Sequence, residues 1–221
     1  MISTLLYYIS IWIALTAQLI AVPIAIRAYL RNRSRALGYF VVYIILEALS
    51  SSGGIVIGFM GIHNTTFYLY SAFVSSFFFM LFANEFMRER SFKNIVLLVY
   101  SAPVIYTALV IVHPDKHEHL SQFQIFMLFE VAASALILHS QLKNPNGLRF
   151  HEDPWSIIAF ILVSTLSISL VCLEASAIIV VNKFNVTLEN YMSILNAWSI
   201  FFQYTLVSRQ LQKISPMKIA E

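Results

Sequence analysis

Residues 36–60 read ALGYFVVYIILEALSSSGGIVIGFM, twenty-five positions with one charge, Glu47, at their centre. About 20 mostly apolar residues in a helix cover the hydrocarbon core of a bilayer, so this stretch is long enough to cross one. Outward from it the same pattern recurs six times, at about 5–27, 67–87, 94–112, 120–142, 155–181 and 188–207. The composition agrees: of 221 residues, 59% are hydrophobic and 11% charged, against roughly 25% charged in a soluble domain. So large an apolar surplus cannot be hidden from water inside one domain of this size. The composition excludes disordered, nucleic-acid-reading and disulfide-stapled classes, and the single Cys172 allows neither an internal disulfide nor a cysteine-rich metal site. The expected fold class is an all-α integral membrane protein, a seven-transmembrane-helix bundle forming one domain, with residues 208–221 as a short cytoplasmic tail.

The loops predict the orientation. Arg27, Arg31, Arg33, Arg35, Arg88, Arg90, Lys93, Lys143, Arg149, Arg209, Lys213 and Lys218 fall on one side, against Lys116 and Lys183 on the other. The positive-inside rule then places the N-terminus outside and the C-terminus in the cytoplasm. The net charge of +3 thus reports cytoplasmic loops and contact with anionic headgroups. With no basic residue before its apolar run and four arginines after it, the first span reads as retained rather than cleaved. Asn144-Pro145-Asn146-Gly147 marks a turn, and Asp153-Pro154 opens the sixth span, proline being tolerated in a first helical turn. Asn64-Thr65-Thr66 and Asn185-Val186-Thr187 match the glycosylation sequon, a triplet common by chance. Pro23 and Pro103 lie inside spans and are expected to set fixed bends. The connections are short, so any output is expected to pass through the bundle or through a separate partner chain.

All basic residues lie in loops, in the tail or at helix ends, yet three acids lie well inside spans: Glu47, Glu130 and Glu174. An acid at a helix centre costs about 2.5–3.5 kcal/mol on insertion scales and points to function by default. With no basic partner, each must carry its proton, accept hydrogen bonds, bind a cation or face water. Tyr43, Glu47, Ser50, Gly54 and Gly58 recur at three- and four-residue steps on one face of span two. Gly54 and Gly58 form a G-x-x-x-G that favours close backbone approach. Met127, Glu130 and Ser134 share a face of span five, Ser164, Ser167, Val171 and Glu174 one of span six, and Asn196, Ser199 and Gln203 one of span seven. Tyr68, Ser71 and Ser75 on span three and Gln18 on span one add to the set. Two readings stand. Spans two, five, six and seven enclose a polar cavity with Glu47 and Glu130 at its heart, Glu174 nearer the outer surface, and Tyr43, Ser50 and Asn196 as further ligand- or proton-binding groups. Alternatively, these groups make interhelical hydrogen bonds and nothing more. Glu85 beside Arg88 reads as an interfacial ion pair.

Other chemistry finds no support. His113, Asp115, His117, Glu118 and His119 cluster in a short outer loop and read as a solvated connection rather than a zinc site. His63 and His139 are isolated. No H-E-x-x-H, G-x-S-x-G, P-loop or C-x-x-C motif occurs, so no catalytic residue, cofactor or resident metal is expected. The last span has no lysine to hold retinal. Glu85-Phe86-Met87-Arg88 and Asn196-Ala197-Trp198 do not match the signatures of rhodopsin-like receptors. Glu47-Ala48-Leu49-Ser50 fits the first half of the ceramidase-type Glu-x-x-Ser motif, without the later histidines. Leu46-Glu47-Ala48 echoes Leu173-Glu174-Ala175, a weak hint of a three-plus-one-plus-three repeat of the kind found in transporters.

Leu46-Glu47 after a basic first loop, Tyr68 and Tyr70 opening span three, Phe129-Glu130, Pro154-Trp155, and Asn196 with Trp198 together carry one resemblance. By these residues the whole chain resembles a group of small, functionally uncharacterised seven-helix membrane proteins of Bacteroidota. That group often has a further acid in span three, where this chain reads Ser75-Ser76-Phe77. The resemblance implies a bacterial inner membrane and brings no activity with it. The expected function is a sensor or receptor-like module that binds a small ligand, proton or lipid in the intramembrane cavity and acts on a cytoplasmic partner. The alternative is a proton- or cation-coupled transporter of a small solute. An intramembrane enzyme ranks behind both.

Overall fold

A computed structural model describes residues 2–60, 65–87, 89–112, 120–143, 152–181 and 186–214. Among these residues there are seven helices and no strands: α1 (Ile2–Asn32), α2 (Arg35–Phe59), α3 (Thr65–Phe86), α4 (Arg90–Val112), α5 (Leu120–Lys143), α6 (Pro154–Val181) and α7 (Val186–Leu211). Helices α1 to α6 are each long and apolar enough to cross a membrane, and the protein is an all-α membrane bundle. The seventh, α7, has the length for it at 26 residues but is more polar, for a reason that its neighbours supply below.

The helices form a ring in the order α1, α2, α3, α5, α6, α7, which closes where α7 packs against α1. Helix α4 stands outside the ring in the groove between α3 and α5. It buries Val96, Tyr100, Pro103, Thr107 and Val110 there and turns Leu98, Ile105 and Ile111 outward. Where α1 joins the ring its buried face is built of small side chains: Ala14, Ala17, Ala21, Ala25 and Ala28 recur at three- and four-residue steps and are all buried. Without large side chains on that face, helices approach closely and gain packing contacts that lipid cannot supply.

One half of the ring is solid. At the end where α2 and α6 begin, Phe40, Phe79, Phe82, Phe129 and Leu37 are fully buried. Three tilted ring pairs meet here: Phe40 and Phe82 at 4.7 Å between centroids, Tyr43 and Phe79 at 4.9 Å, and Trp155 and Phe86 at 4.9 Å. Tilted and edge-to-face pairs at these distances each add about 0.5–1.5 kcal/mol beyond area burial.

The chain reversals at this end are built from local polar chemistry. Arg33 takes a left-handed φ of 45°, and its N–H donates to the Tyr29 carbonyl at 2.6 Å, a cap for the last turn of α1. Ser34 starts α2, its Oγ accepting from the Leu37 N–H at 3.3 Å. Before α6, Asp153 Oδ2 accepts from the Ser156 N–H at 2.9 Å and Oδ1 from the Trp155 N–H at 3.3 Å. This N-cap satisfies amide groups that an apolar surrounding would leave unpaired. Lys143, at the end of α5, pairs with Glu89 at 3.2 Å and lies over the Phe92 ring. The turn at Asn144–Gly147, both sequons' asparagines, the histidine cluster and Arg88, the expected partner of Glu85, lie outside the described residues.

Asp153 caps α6 with both carboxylate oxygens, so Asp153→Ala is expected to lower stability by about 1 kcal/mol, with Asp153→Asn or Asp153→Ser retaining most of it. Unfolding in detergent, followed by far-ultraviolet dichroism, measures the difference. Equal stability of the alanine and asparagine variants would remove the cap from the account.

Candidate functional site

Glu47 is the middle residue of α2, with twelve helical residues on either side, and Glu130 lies near the middle of α5. Both line one cavity of about 440 Å³ inside the ring. Glu130 is buried and held from two helices: the Tyr43 hydroxyl of α2 donates to Oε2 at 3.1 Å, and the Ser76 hydroxyl of α3 donates to Oε1 at 3.2 Å. Glu47 is half-buried. The Ser75 hydroxyl lies against it, and it is close enough to Glu130 for the two charges to interact. Tyr204 of α7 lies within the field of both acids and beside Gln18 of α1.

The rest of the lining is hydroxyl, amide and apolar, including Ser50, Ser51, Tyr68, Ser169, Asn196 and Gln203, with neither Lys nor Arg. Two groups in the wall stand without protein partners among the described residues: Ser169 Oγ and Asn196 Oδ1 are buried and accept or donate no hydrogen bond. Buried polar atoms are nearly always satisfied in native structures, so an exception in a cavity wall marks a place for water or ligand. The cavity therefore has two carboxyl groups at its base, unmatched by any basic side chain, and unsatisfied polar atoms along its wall.

Access lies at the end where α1, α3 and α7 begin. A second recess, of about 540 Å³, is lined there by Tyr7, Tyr8, Trp12, Ser193 and neighbouring residues. It shares Gln18, Ser51, Tyr68, Asn196 and Ile200 with the first. The two are successive parts of one vestibule, with the acids at its base and the aromatic half of the ring closing the opposite end. Tyr68 stands at the junction, its phenol against Gly54, where a Cβ would overlap the ring. Next to it, a Cβ on Gly53 would meet Phe67 Cζ at 2.7 Å. The G-x-x-x-G thus has a different use at Gly54 from the expected one, making room for an aromatic side chain of α3.

The polarity of α7 follows from the same arrangement. The Ser199 hydroxyl donates to the Thr165 carbonyl at 2.8 Å, and the Thr165 hydroxyl lies 2.7 Å from the Ile161 carbonyl and 3.2 Å from Gln203 Oε1. Asn196 and Gln203 face the cavity. Polar groups of α7 are therefore spent on α6 and on the cavity instead of on lipid.

Of the residues expected at the site, Glu47, Glu130, Tyr43, Ser50 and Asn196 all line the cavity, as do Met127, Tyr68, Ser75, Gln18 and Gln203. Glu174 does not. It is exposed on the outside of α6, and Val171 on the same face is 66% exposed. The face of α6 turned inward carries Leu166, Ser169 and Leu173. Serines occur on two opposite sides of α6, Ser156, Ser164 and Ser167 on one and Ser169 and Ser176 on the other, so polarity could not select a face, and Glu174 lies only seven residues, about 10 Å, from the helix end, within reach of the headgroup layer. Ser76 and Tyr204 were missed because each lies in an aromatic-rich stretch that reads as packing.

Tyr68 and Gly54 form a tight pair at the throat, so Gly54→Ala is expected to cost about 1–3 kcal/mol through overpacking. Gly54→Ala/Tyr68→Ala should recover most of that loss. A double-mutant cycle on thermal stability in detergent measures the coupling, and additive effects would show that Tyr68 does not fill the space beside Gly54.

No protein-family model matches this chain, and neither a curated protein nor a solved structure does.

Proposed function

We propose that this protein is a membrane sensor module that binds a small cationic ligand, or protons, at Glu47 and Glu130 and acts on a cytoplasmic partner. The observation that carries the reading is the meeting of two mid-helix carboxyls in one cavity lined by no basic side chain. Taking an unpaired charge out of water costs several kcal/mol, a cost that a bound proton, metal cation or protonated amine relieves. The distribution of Lys and Arg makes the open end of the vestibule the outer one, so the stimulus arrives from outside. The basic ends of α2 and α4, with Arg35, Arg90 and Lys93, form the surface for the partner on the inner side. The membrane in this proposal is a bacterial inner membrane.

Binding would be transmitted through Glu130, whose hydrogen-bond donors come from α2 and α3 while its own backbone belongs to α5. A cation that draws the carboxylate oxygens toward the cavity competes with Tyr43 and Ser76 and loosens three helices at once. A coupled transporter is the second reading, and one observation favours it: α1–α2–α3 and α5–α6–α7 have the same neighbour order, with α1 on α7 matched by α5 on α3. Such a pattern accompanies parallel repeats in transporters.

Proteoliposome flux of protons and alkali cations, together with cation-dependent thermal shift in detergent, separates the readings. The sensor predicts a thermal shift in the wild type that Glu47→Gln and Glu130→Gln both abolish, without flux. Flux lost in both variants, with the fold intact, would assign transport. Neither shift nor flux across protons, alkali cations and simple amines would overturn the cation site.

A further inference from the structure

On the outer surface of the ring, α1 and α7 leave a groove that the cavity does not touch. Its apolar part, about 650 Å³, is lined by Ile13, Ile20 and Ile24 of α1 and by Phe201 of α7, among others, and its end by Ser208, Arg209 and Gln212. A smaller recess of about 320 Å³ continues it, sharing Ile24 and Gln212 and adding Arg27, Arg31, Ala28 and Leu211. From Ile9 to Ile24 the groove follows α1 for about 22 Å at 1.5 Å per residue, more than the ~15 Å depth of one leaflet's hydrocarbon. Arg27 and Arg31, four apart on one helix face, line the recess that continues the groove, and Arg209 lines the groove's end on the other wall. At 31 residues, α1 is about 46 Å long, enough for its last turns to stand in the headgroup layer.

We propose that this groove is a binding site for one anionic phospholipid, with an acyl chain along α1 and the phosphate held by Arg27, Arg31 and Arg209. The charge pattern matches such an occupant from end to end: apolar along the depth of a leaflet, cationic at its polar edge. Among the described residues none of the three arginines is in an ion pair. Ser208, 7% exposed, has a hydroxyl in the groove wall with no hydrogen-bond partner among the described residues, a donor placed for a glycerol ester or phosphate oxygen. Basic pockets between transmembrane helices on the cytoplasmic side bind lipid headgroups by this chemistry, and a Lys or Arg near an anionic membrane surface is worth about fivefold in affinity. The buried alanine face of α1 lies directly behind the groove, so an occupant also seals the seam where the ring closes.

Native mass spectrometry of the detergent-purified chain in equimolar phosphatidylglycerol and phosphatidylcholine tests the site. The wild type should retain one phosphatidylglycerol in preference to phosphatidylcholine. Arg27→Ala/Arg31→Ala/Arg209→Ala should reduce that preference by at least about fivefold. Arg35→Ala/Arg90→Ala/Lys93→Ala, which removes the same charge from the same end, should leave it intact. Ile24→Trp, which fills the junction of the two recesses and keeps every arginine, should lose the lipid, and it decides the matter if the triple variant does not fold. Equal retention of the two lipids by the wild type would overturn the proposal, as would an equal loss in the control variant, which means diffuse surface attraction. Displacement by inorganic phosphate, with binding unaffected by Ile24→Trp, would also overturn it by reducing the site to a headgroup contact.

Discussion

The constraint on which this bundle depends is the presence of two carboxyl groups near mid-membrane without a basic residue to meet them. Each acid is expensive there, and the structure answers the cost by convergence. Helices α2, α3 and α5 each bring a polar side chain to the same point, and Glu130 accepts from Tyr43 and Ser76 at once. Because the donors come from different helices, their azimuthal positions are coupled. Rotating any one of the three would break one of these interhelical hydrogen bonds. The polar cluster therefore fixes helix rotation, for which apolar packing alone gives weak preference in a chain this uniformly hydrophobic.

On the arginine-rich side of that point the interior of the ring is filled. Rings from α2, α3, α5 and α6 interlock around Phe82 and Trp155, and the Asp153 cap pins the start of α6 beside them. On the other side the packing opens into the vestibule, with Tyr68 seated against a glycine. One ring thus has a filled aromatic half and a hollow half. The buried hydroxyl and amide at Ser169 and Asn196 belong to the hollow half, where unsatisfied groups can find water.

The spans were legible because crossing a bilayer demands long apolar runs, a constraint that leaves little freedom in sequence. The helix ends come close to the expected limits, though α1 and α7 continue beyond residues 27 and 207 to Asn32 and Leu211, carrying arginines that a hydropathy reading trims away. Glu47, Glu130, Tyr43, Ser50 and Asn196 were legible too, since an acid amid aliphatics stands out and its neighbours at helical steps share its direction. Helix α6 shows where that logic stops. With serine on two opposite sides and its acid near one end, the face was misassigned, and only the packing against α5 and α7 decides it. The order of helices around the ring could not be read at all, because residues that meet lipid and residues that meet another helix are equally apolar. The use of Gly54 was hidden for a related reason: a small residue announces a close approach without naming what approaches.

Helix α4 has one further consequence, which is topological. Placed outside the ring, it adds little to the cavity, yet it changes the parity of the path. A chain passing directly from α3 to α5 would have to reverse direction, giving the two three-helix groups opposite senses across the membrane. The intervening crossing restores the sense, so α1–α2–α3 and α5–α6–α7 run the same way and can be related by an axis along the membrane normal. That outer strand of the path, 23 residues long, is also the sole covalent link between the two groups. It tethers them along one seam and leaves the opposite seam, between α1 and α7, held by noncovalent packing alone.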